Sequence, residues 1–255
     1  VYKEEKNKIE ENAQKVHEQI LNGQQAQDKI EYPDHFPNPA SILQAIKEYI
    51  DPENGGFGSA PKFPHYPFLE WTVEQALEGM IAREEADKLL DGIERMLMGG
   101  LFDHARGGMH RYSTDKNWQV PHFEKMLYDQ AGLLKLLSKF VLLRPSLFAF
   151  DAILETLHYL ESEMLSEEGH FFSAQDADSE GVEGLYYCFT QDEFLDAITK
   201  SPYNKEDELT KELEKIKKWF KVEAKGQLEG GLNVISLRPE FRAEYQVEEN
   251  WNIIR

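Results

Sequence analysis

The chain has few of the features that mark secreted, membrane or nucleic-acid-binding proteins. Cys188 is its only cysteine, which excludes an internal disulfide and any zinc site built on paired cysteines. No run approaches the roughly 20 apolar residues that span a bilayer, and no signal segment opens the chain at Val1. The chain has 28 basic and 47 acidic residues, and its net charge of −19 would repel nucleic acid and anionic lipid. We therefore expect a cytoplasmic protein that binds neither nucleic acid nor membrane.

Helical periodicity dominates the rest of the sequence. The 255 residues, 41% of them hydrophobic, suffice for a core of ordinary size. Apolar residues recur at intervals of three and four in six segments: 3–22, 39–50, 67–80, 84–98, 122–143 and 146–165. Further on, the sequence predicts short strands at 186–189 and 233–237, a capping box from Thr190 to Glu193, and a charged helix over 204–220. The chain is predicted to be all-α with short strands.

Glycine-rich loops separate these helices at similar distances. The loops are Gly55–Gly58, Gly107–His110 and Gly169–Phe171. Their first glycines lie 52 and 62 residues apart, a spacing typical of one helical hairpin and one loop per repeat. Repeated hairpins stack into a superhelix or close into a toroid, so loops at equivalent positions gather on one rim. We interpret 1–37 as an N-terminal helix and linker, and 38–255 as hairpin repeats with an insertion around 184–240.

The densest group of reactive side chains lies in 99–129. It contains Asp103, His104, His110, Arg111, Tyr112, Trp118, His122, Glu124, Lys125 and Asp129. A purely structural loop does not need this mixture of acids, bases and rings. On the helix predicted to begin here, His122, Lys125 and Asp129 would lie side by side. Helix capping is the alternative role of His122 and Glu124, and Lys125 fits a salt-bridge partner better than a catalytic amine.

A second polar stretch, 173–184, is rich in carboxylates. Its acidic start resembles a calcium loop, but the closing position holds Tyr187 instead of a glutamate, so no metal is predicted. Asp176 and Asp178 could hold sugar hydroxyls or act as acid and base. The alternative is an acidic surface turn.

Three blocks of the chain carry a family resemblance. The block 55–64 includes Phe57 and Lys62, which are typical of packing and turns, although a ring beside a lysine at a rim can also stack on a sugar. Together with 107–129 and 173–187, this block resembles the spermatogenesis-associated protein 20 family, thioredoxin-domain proteins whose larger part is similar to N-acylglucosamine 2-epimerase. The resemblance implies a thioredoxin-like domain, absent from this chain, followed by a six-hairpin toroid like that of six-hairpin glycosidases. We expect a partial (α/α)6 toroid of about three hairpins, with short β-hairpin loops on one rim.

Two kinds of enzyme chemistry fit these residues. In a sugar isomerase or epimerase, His110 and His122 would move a proton beside the carbonyl of an open-chain sugar, while Arg111 steadies the enolate oxygen. A glycoside hydrolase would instead use carboxylates such as Glu124 and Asp176. The other side chains expected to contact a sugar are Tyr112, Trp118, Lys125, Asp178, Phe57 and Lys62.

A non-catalytic toroid is the remaining alternative. It would bind a glycan or a protein and work with the thioredoxin-like domain, and we expect no cofactor in either case. A site shared by the two polar stretches has a geometric consequence, because their loops would project from one rim. At least four of six side chains should then line one cavity: His110, Arg111, His122, Glu124, Asp176 and Asp178.

Overall fold

A computed structural model describes residues 6–27, 37–200 and 214–241. The chain divides into two compact units, Val1–Asn38 and Pro39–Arg255. The first unit contains α1 (Lys6–Gln27), an amphipathic helix on which Val16 and Ile20 are exposed. The helix predicted over 3–22 is thus confirmed within the described residues, and it continues into the predicted linker.

The second unit is built from helical hairpins. Its helices are α2 (Pro39–Ile46), α3 (Tyr66–Leu77), α4 (Arg83–Met98), α5 (Leu127–Leu143), α6 (Leu147–Tyr159) and α7 (Gln191–Thr199). Helix α3 packs on α4 and α5, and α6 packs on α4 and α5. Their apolar stripes form one core that includes Leu90, Ile93, Leu97, Leu133, Leu137 and Phe140. The predicted all-α class is confirmed, since packed helices form the core and short strand pairs occupy the loops that join them.

Polar contacts fix the connection between α5 and α6 against α4. Ser146 begins α6 by accepting a hydrogen bond from the Ala149 amide, and its hydroxyl donates to Glu94 at 3.0 Å. Arg144 donates to Asp87 at 2.7 Å and to Asp91 at 2.6 Å. Through these bonds, side chains in the connection between α5 and α6 hold these two helices in a fixed orientation on α4.

Short antiparallel strand pairs occupy the loops. They are β1 (Tyr112–Ser113) with β2 (Pro121–His122), β3 (Lys125–Met126) with β4 (Ala174–Gln175), β5 (Asp178–Ser179) with β6 (Val182–Glu183), and β7 (Cys188–Phe189) with β8 (Asn233–Val234). The prediction of a helix from 122 was wrong, because 121–126 is extended and α5 begins at Leu127. The extended backbone finds partners elsewhere: the Arg111 amide donates to Glu124 O, and the Leu127 amide donates to Ser173 O. His122, Lys125 and Asp129 therefore do not share a helix face.

Beyond β6 the predictions are confirmed in part. The capping box at Thr190 begins α7 as expected. Of the strand predicted over 186–189, only 188–189 is extended, because Leu185–Tyr187 forms a 3-10 turn. Residues 214–219 of the predicted charged helix are helical, and 201–213 lie outside the described residues.

Candidate functional site

A partly exposed cluster of charged and aromatic side chains is centred on His122. The His122 ring stacks on Tyr112, with centroids 5.0 Å apart. Its Nδ1 lies 2.7 Å from Glu183 Oε1, and its Nε2 lies 3.8 Å from Glu124 Oε2. Arg111 Nη1 donates to the same Glu124 oxygen at 2.7 Å. The arrangement places an imidazole between two carboxylates, beside a cation and within reach of solvent.

Arg111 is held as a cation in this cluster. The hydrogen bond to Glu124 is the main cause that raises its pKa, and Tyr128 adds to the effect. A fixed positive charge beside an imidazole can stabilise negative charge that develops on a nearby oxygen.

His110 belongs to the interior, not to this cluster. It is 1% exposed, its Nδ1 lies 3.0 Å from Phe123 O, and its ring packs edge-on against Phe123 and Tyr187. Burial lowers its pKa to about 3, and the Lys125 ammonium adds to the shift. This corrects the expected pair of acid/base histidines, because a buried imidazole that stays neutral does not exchange protons with a ligand on the accessible face. Of these two histidines, His122 is the one that lies on the accessible face.

Lys125 forms a buried ion pair instead of contacting a ligand. Its Nζ donates to Asp103 Oδ2 at 2.7 Å and to Gly107 O at 2.9 Å. It also lies 4.2 Å from the Tyr159 ring and 4.9 Å from the Tyr187 ring. Burial opposes the charge of Asp103, but Lys125 holds the pKa of that carboxyl below its usual value. The salt-bridge interpretation is confirmed, and the expected sugar contact of Lys125 is corrected because the residue is 0% exposed.

Lys62 and Trp118 are likewise buried. Lys62 Nζ donates to Asp51 Oδ2 at 2.6 Å and to Gly55 O at 2.7 Å, and it lies 5.0 Å from the Trp118 ring. Trp118 Nε1 donates to Asn54 O at 2.9 Å. These contacts hold two loops together, and both side chains are buried. The expected sugar contacts of Lys62 and Trp118 are therefore corrected.

Phe57 lines an aromatic cleft next to the charged cluster. The cleft has a volume of about 460 Å³, and its walls include Tyr49, Phe57, Phe63, His65 and Phe68. The Phe63 ring lies 4.8 Å from that of Tyr112, which in turn stacks on His122. The aromatic surface is thus continuous from the cleft to the charged cluster.

The acidic loop lies at the same end of the molecule. Strand β3 pairs with β4, and Glu183 of β6 reaches His122. Asp176 and Asp178 are exposed, and the Asp178 amide donates to Asp176 Oδ1 at 3.3 Å. The two predicted segments therefore do meet. The set of six side chains expected at one site changes, because His110 is buried and the acidic loop contacts His122 through Glu183.

Glu183 was not among the expected site residues, although the dipeptide Glu180-Gly181 is a sequence signal for a turn. The φ angles of these two residues are 55° and 79°, as in a two-residue hairpin turn. That turn pairs Asp178 with Glu183. A hairpin prediction over 178–183 would have placed a second carboxylate opposite Asp178.

Metal and membrane signals are missing from the part of the chain that the structure describes. No group of three or more His, Cys, Asp or Glu side chains there is arranged to hold a metal ion. Within the same residues, no helix has the length and hydropathy to cross a bilayer.

These features define a helical-hairpin protein whose loops build one charged and aromatic face. The chain is 33% identical to human spermatogenesis-associated protein 20 over 93% of its own length and 33% of that protein. The mouse and rat proteins of the same name are 34% and 35% identical over 82% and 74% of the chain. Over most of its own length the chain is similar to the spermatogenesis-associated protein 20 proteins, and it spans about a third of the length of these curated relatives. No family model matches it.

Solved structures of sugar epimerases are similar in backbone course to part of this chain. A sugar epimerase from a ruminal bacterium has a TM-score of 0.43 and 18% identity, covering 68% of this chain and 50% of its own. The cellobiose 2-epimerase of Spirochaeta thermophila has a TM-score of 0.47 and 21% identity, covering 53% and 36%. That of Bacillus thermoamylovorans has a TM-score of 0.45 and 15% identity, covering 62% and 49%.

Proposed function

We propose that this chain carries part of a sugar-processing site of the isomerase or epimerase type, with His122 as its acid/base residue. The observation that carries the proposal is the His122 imidazole, hydrogen-bonded to Glu183 and flanked by the Arg111–Glu124 ion pair on an accessible aromatic face. An imidazole suits proton transfer near neutral pH, and a carboxylate on one ring nitrogen stabilises the cation formed when the other accepts a proton.

The chemistry follows from this placement. His122 removes the proton from the carbon next to the carbonyl of an open-chain sugar, and the electron pair moves to give an enediolate. Arg111 stabilises the negative oxygen, and Glu183 stabilises the imidazolium. Delivery of a proton to the opposite face of the same carbon by a second acid gives the epimer. Delivery to the former carbonyl carbon, with the hydroxyl proton passing from the C2 oxygen to the C1 oxygen, gives the isomer. Only protons move in either case, so no redox partner is needed.

The surroundings of His122 favour a neutral ligand with an apolar carbon face and several hydroxyl groups. Tyr112 and the exposed Phe63 supply ring faces, which pack against the apolar side of a sugar. Asp176 and Asp178 supply acceptors for hydroxyl groups on the hairpin side. The net charge of −19 disfavours an anionic substrate.

Solvent deuterium incorporation tests the proposal. The full-length protein is incubated in D₂O with a panel of aldoses and ketoses, and NMR follows the hydrogen next to the carbonyl. His122→Gln should lower the exchange rate by at least about 100-fold. His158→Gln, at an exposed histidine of α6, is the matched control and should leave exchange unchanged. Exchange that survives in the His122 variant contradicts the assignment.

A binding role is the second candidate, and a separate observation favours it. Large apolar side chains are exposed along the acidic loop and its flanks: Phe171, Phe172, Val182, Leu185 and Tyr186. Such exposed apolar groups are typical of surfaces that contact another protein or domain, and the thioredoxin-like domain implied by the family resemblance is the candidate partner. Sugar or domain binding without any exchange in D₂O would favour this role over the enzyme.

A further inference from the structure

Within the part of the chain that the structure describes, three buried polar atoms of neighbouring elements have no hydrogen-bond partner. They are Tyr66 Oη, Asp129 Oδ2 and Arg111 Nε. Tyr66 and Asp129 are each 6% exposed. Buried polar groups are nearly always hydrogen-bonded, because leaving one without a partner is unfavourable. These three atoms are therefore available to bind a polar group of a ligand.

The three residues come from α3, α5 and the segment before β1, and α3 packs directly on α5. Tyr66 begins α3, and its ring lies so close to Gly132 of α5 that a methyl group there would be 3.0 Å away. Asp129 lies three residues before Gly132, on the same side of α5. Burial raises the pKa of Tyr66, and the Asp129 charge raises it further, so the two groups are near each other. Asp129 in turn interacts electrostatically with Arg111.

The charges around Asp129 favour a neutral occupant. Burial raises its pKa to about 7, Arg111 lowers it and Glu124 raises it again. A cationic group entering this space would meet Arg111, and an anionic group would meet Asp129 and Glu124. A hydroxyl group fits all three atoms, because it can accept from Tyr66 and Arg111 and donate to Asp129.

Arg111 links this space to the accessible face. Its side chain is 40% exposed and pairs with Glu124 beside His122, while its Nε atom is buried. Arg111 therefore connects the buried atoms with the face on which a ligand of the His122 cluster would lie.

We propose that Tyr66, Asp129 and Arg111 form a buried subsite for one hydroxyl group of a neutral sugar and so orient that sugar against His122. The inference rests on the proposed function for the class of ligand. A single ordered water is the competing occupant, and it differs from a sugar hydroxyl because it binds without regard to the structure of the sugar.

Deoxy sugars distinguish the two occupants. Affinities of the full-length protein for D-glucose, D-mannose and D-fructose are compared with those for their monodeoxy analogues by calorimetry. One analogue should bind about 10- to 100-fold more weakly than its parent, because it leaves the buried atoms without a partner. Tyr66→Phe and Asp129→Asn should weaken binding of the parent sugar and abolish its preference over that analogue.

The controls separate lost recognition from lost folding. Asp192→Asn alters an exposed aspartate in the first turn of α7 and should keep the full preference. Circular dichroism and melting verify that each variant folds. If both site variants still prefer the parent sugar over the deoxy analogue, the subsite is overturned. It is also overturned if every deoxy analogue loses the same affinity relative to its parent, because an ordered water then occupies the space whichever sugar is bound.

The outcomes also separate the subsite from the proposed reaction. Preference for one hydroxyl without deuterium exchange supports the subsite and contradicts the reaction. Exchange with unchanged KM in both Tyr66→Phe and Asp129→Asn supports the reaction and overturns the subsite. Absence of sugar binding to the wild-type protein overturns both.

Discussion

Lys125 and Asp103 form a buried ion pair whose removal should be costly. Both side chains are at most 7% exposed, and the Nζ–Oδ2 distance is 2.7 Å. Asp103→Asn would leave an ammonium group facing Gly107 O and two tyrosine rings without a counter-charge. Breaking a buried pair in this way costs about 3–5 kcal/mol. For a chain of this size that lowers the melting temperature by roughly 10 °C.

The opposite change should be somewhat milder. Lys125→Met retains the apolar contacts of the side chain, and the Asp103 carboxylate still accepts from the amides of Ala105 and Arg106. The double variant, with neither charge, should be more stable than the sum of the single effects predicts, by about 1–3 kcal/mol. Urea unfolding followed by tryptophan fluorescence measures all four free energies of unfolding.

A surface pair provides the matched control. Lys200 lies 2.6 Å from Asp196, with side chains 75% and 57% exposed. Lys200→Met should therefore cost less than about 0.5 kcal/mol. If Lys125→Met cost no more than Lys200→Met, or if the two buried substitutions were additive, the buried pair would not hold these loops together as argued.

Three further predictions test the site and its loops. Because burial raises the pKa of Asp129 to about 7, wild-type stability should fall by up to roughly 4 kcal/mol between about pH 4 and pH 7, since the unfolded chain releases a proton that the folded chain keeps. Asp129→Asn should remove this decline in urea titrations, and an unchanged pH profile would refute the shift. Glu183→Gln should slow deuterium exchange about 10- to 100-fold by removing the charge that stabilises protonated His122, and an unaltered rate would show that Glu183 plays no part. Gly55→Ala should cost about 3 kcal/mol in melting experiments, because φ is 73° and the new Cβ would lie 2.2 Å from the Gly92 backbone; Gly58→Ala, at φ 70° with open space, should cost only about 1 kcal/mol, and equal losses would contradict the clash.

The sequence alone determined the features that depend on local order. Apolar periodicity located the helices, and Thr190 with Glu193 located the start of α7. The salt-bridge role of Lys125 was also correctly favoured over a catalytic one. Such signals are readable because helix periodicity and capping involve residues within one or two turns of each other.

Only the tertiary structure decided which polar residues face a ligand. His110 and His122 look equivalent in the sequence, yet one is buried at 1% exposure and the other lies between carboxylates on the accessible face. Residues 121–126 have a helical pattern but are extended, because distant backbone groups satisfy their hydrogen bonds. Burial and cross-chain partners set the protonation and reach of each side chain, and both depend on residues far away in the sequence.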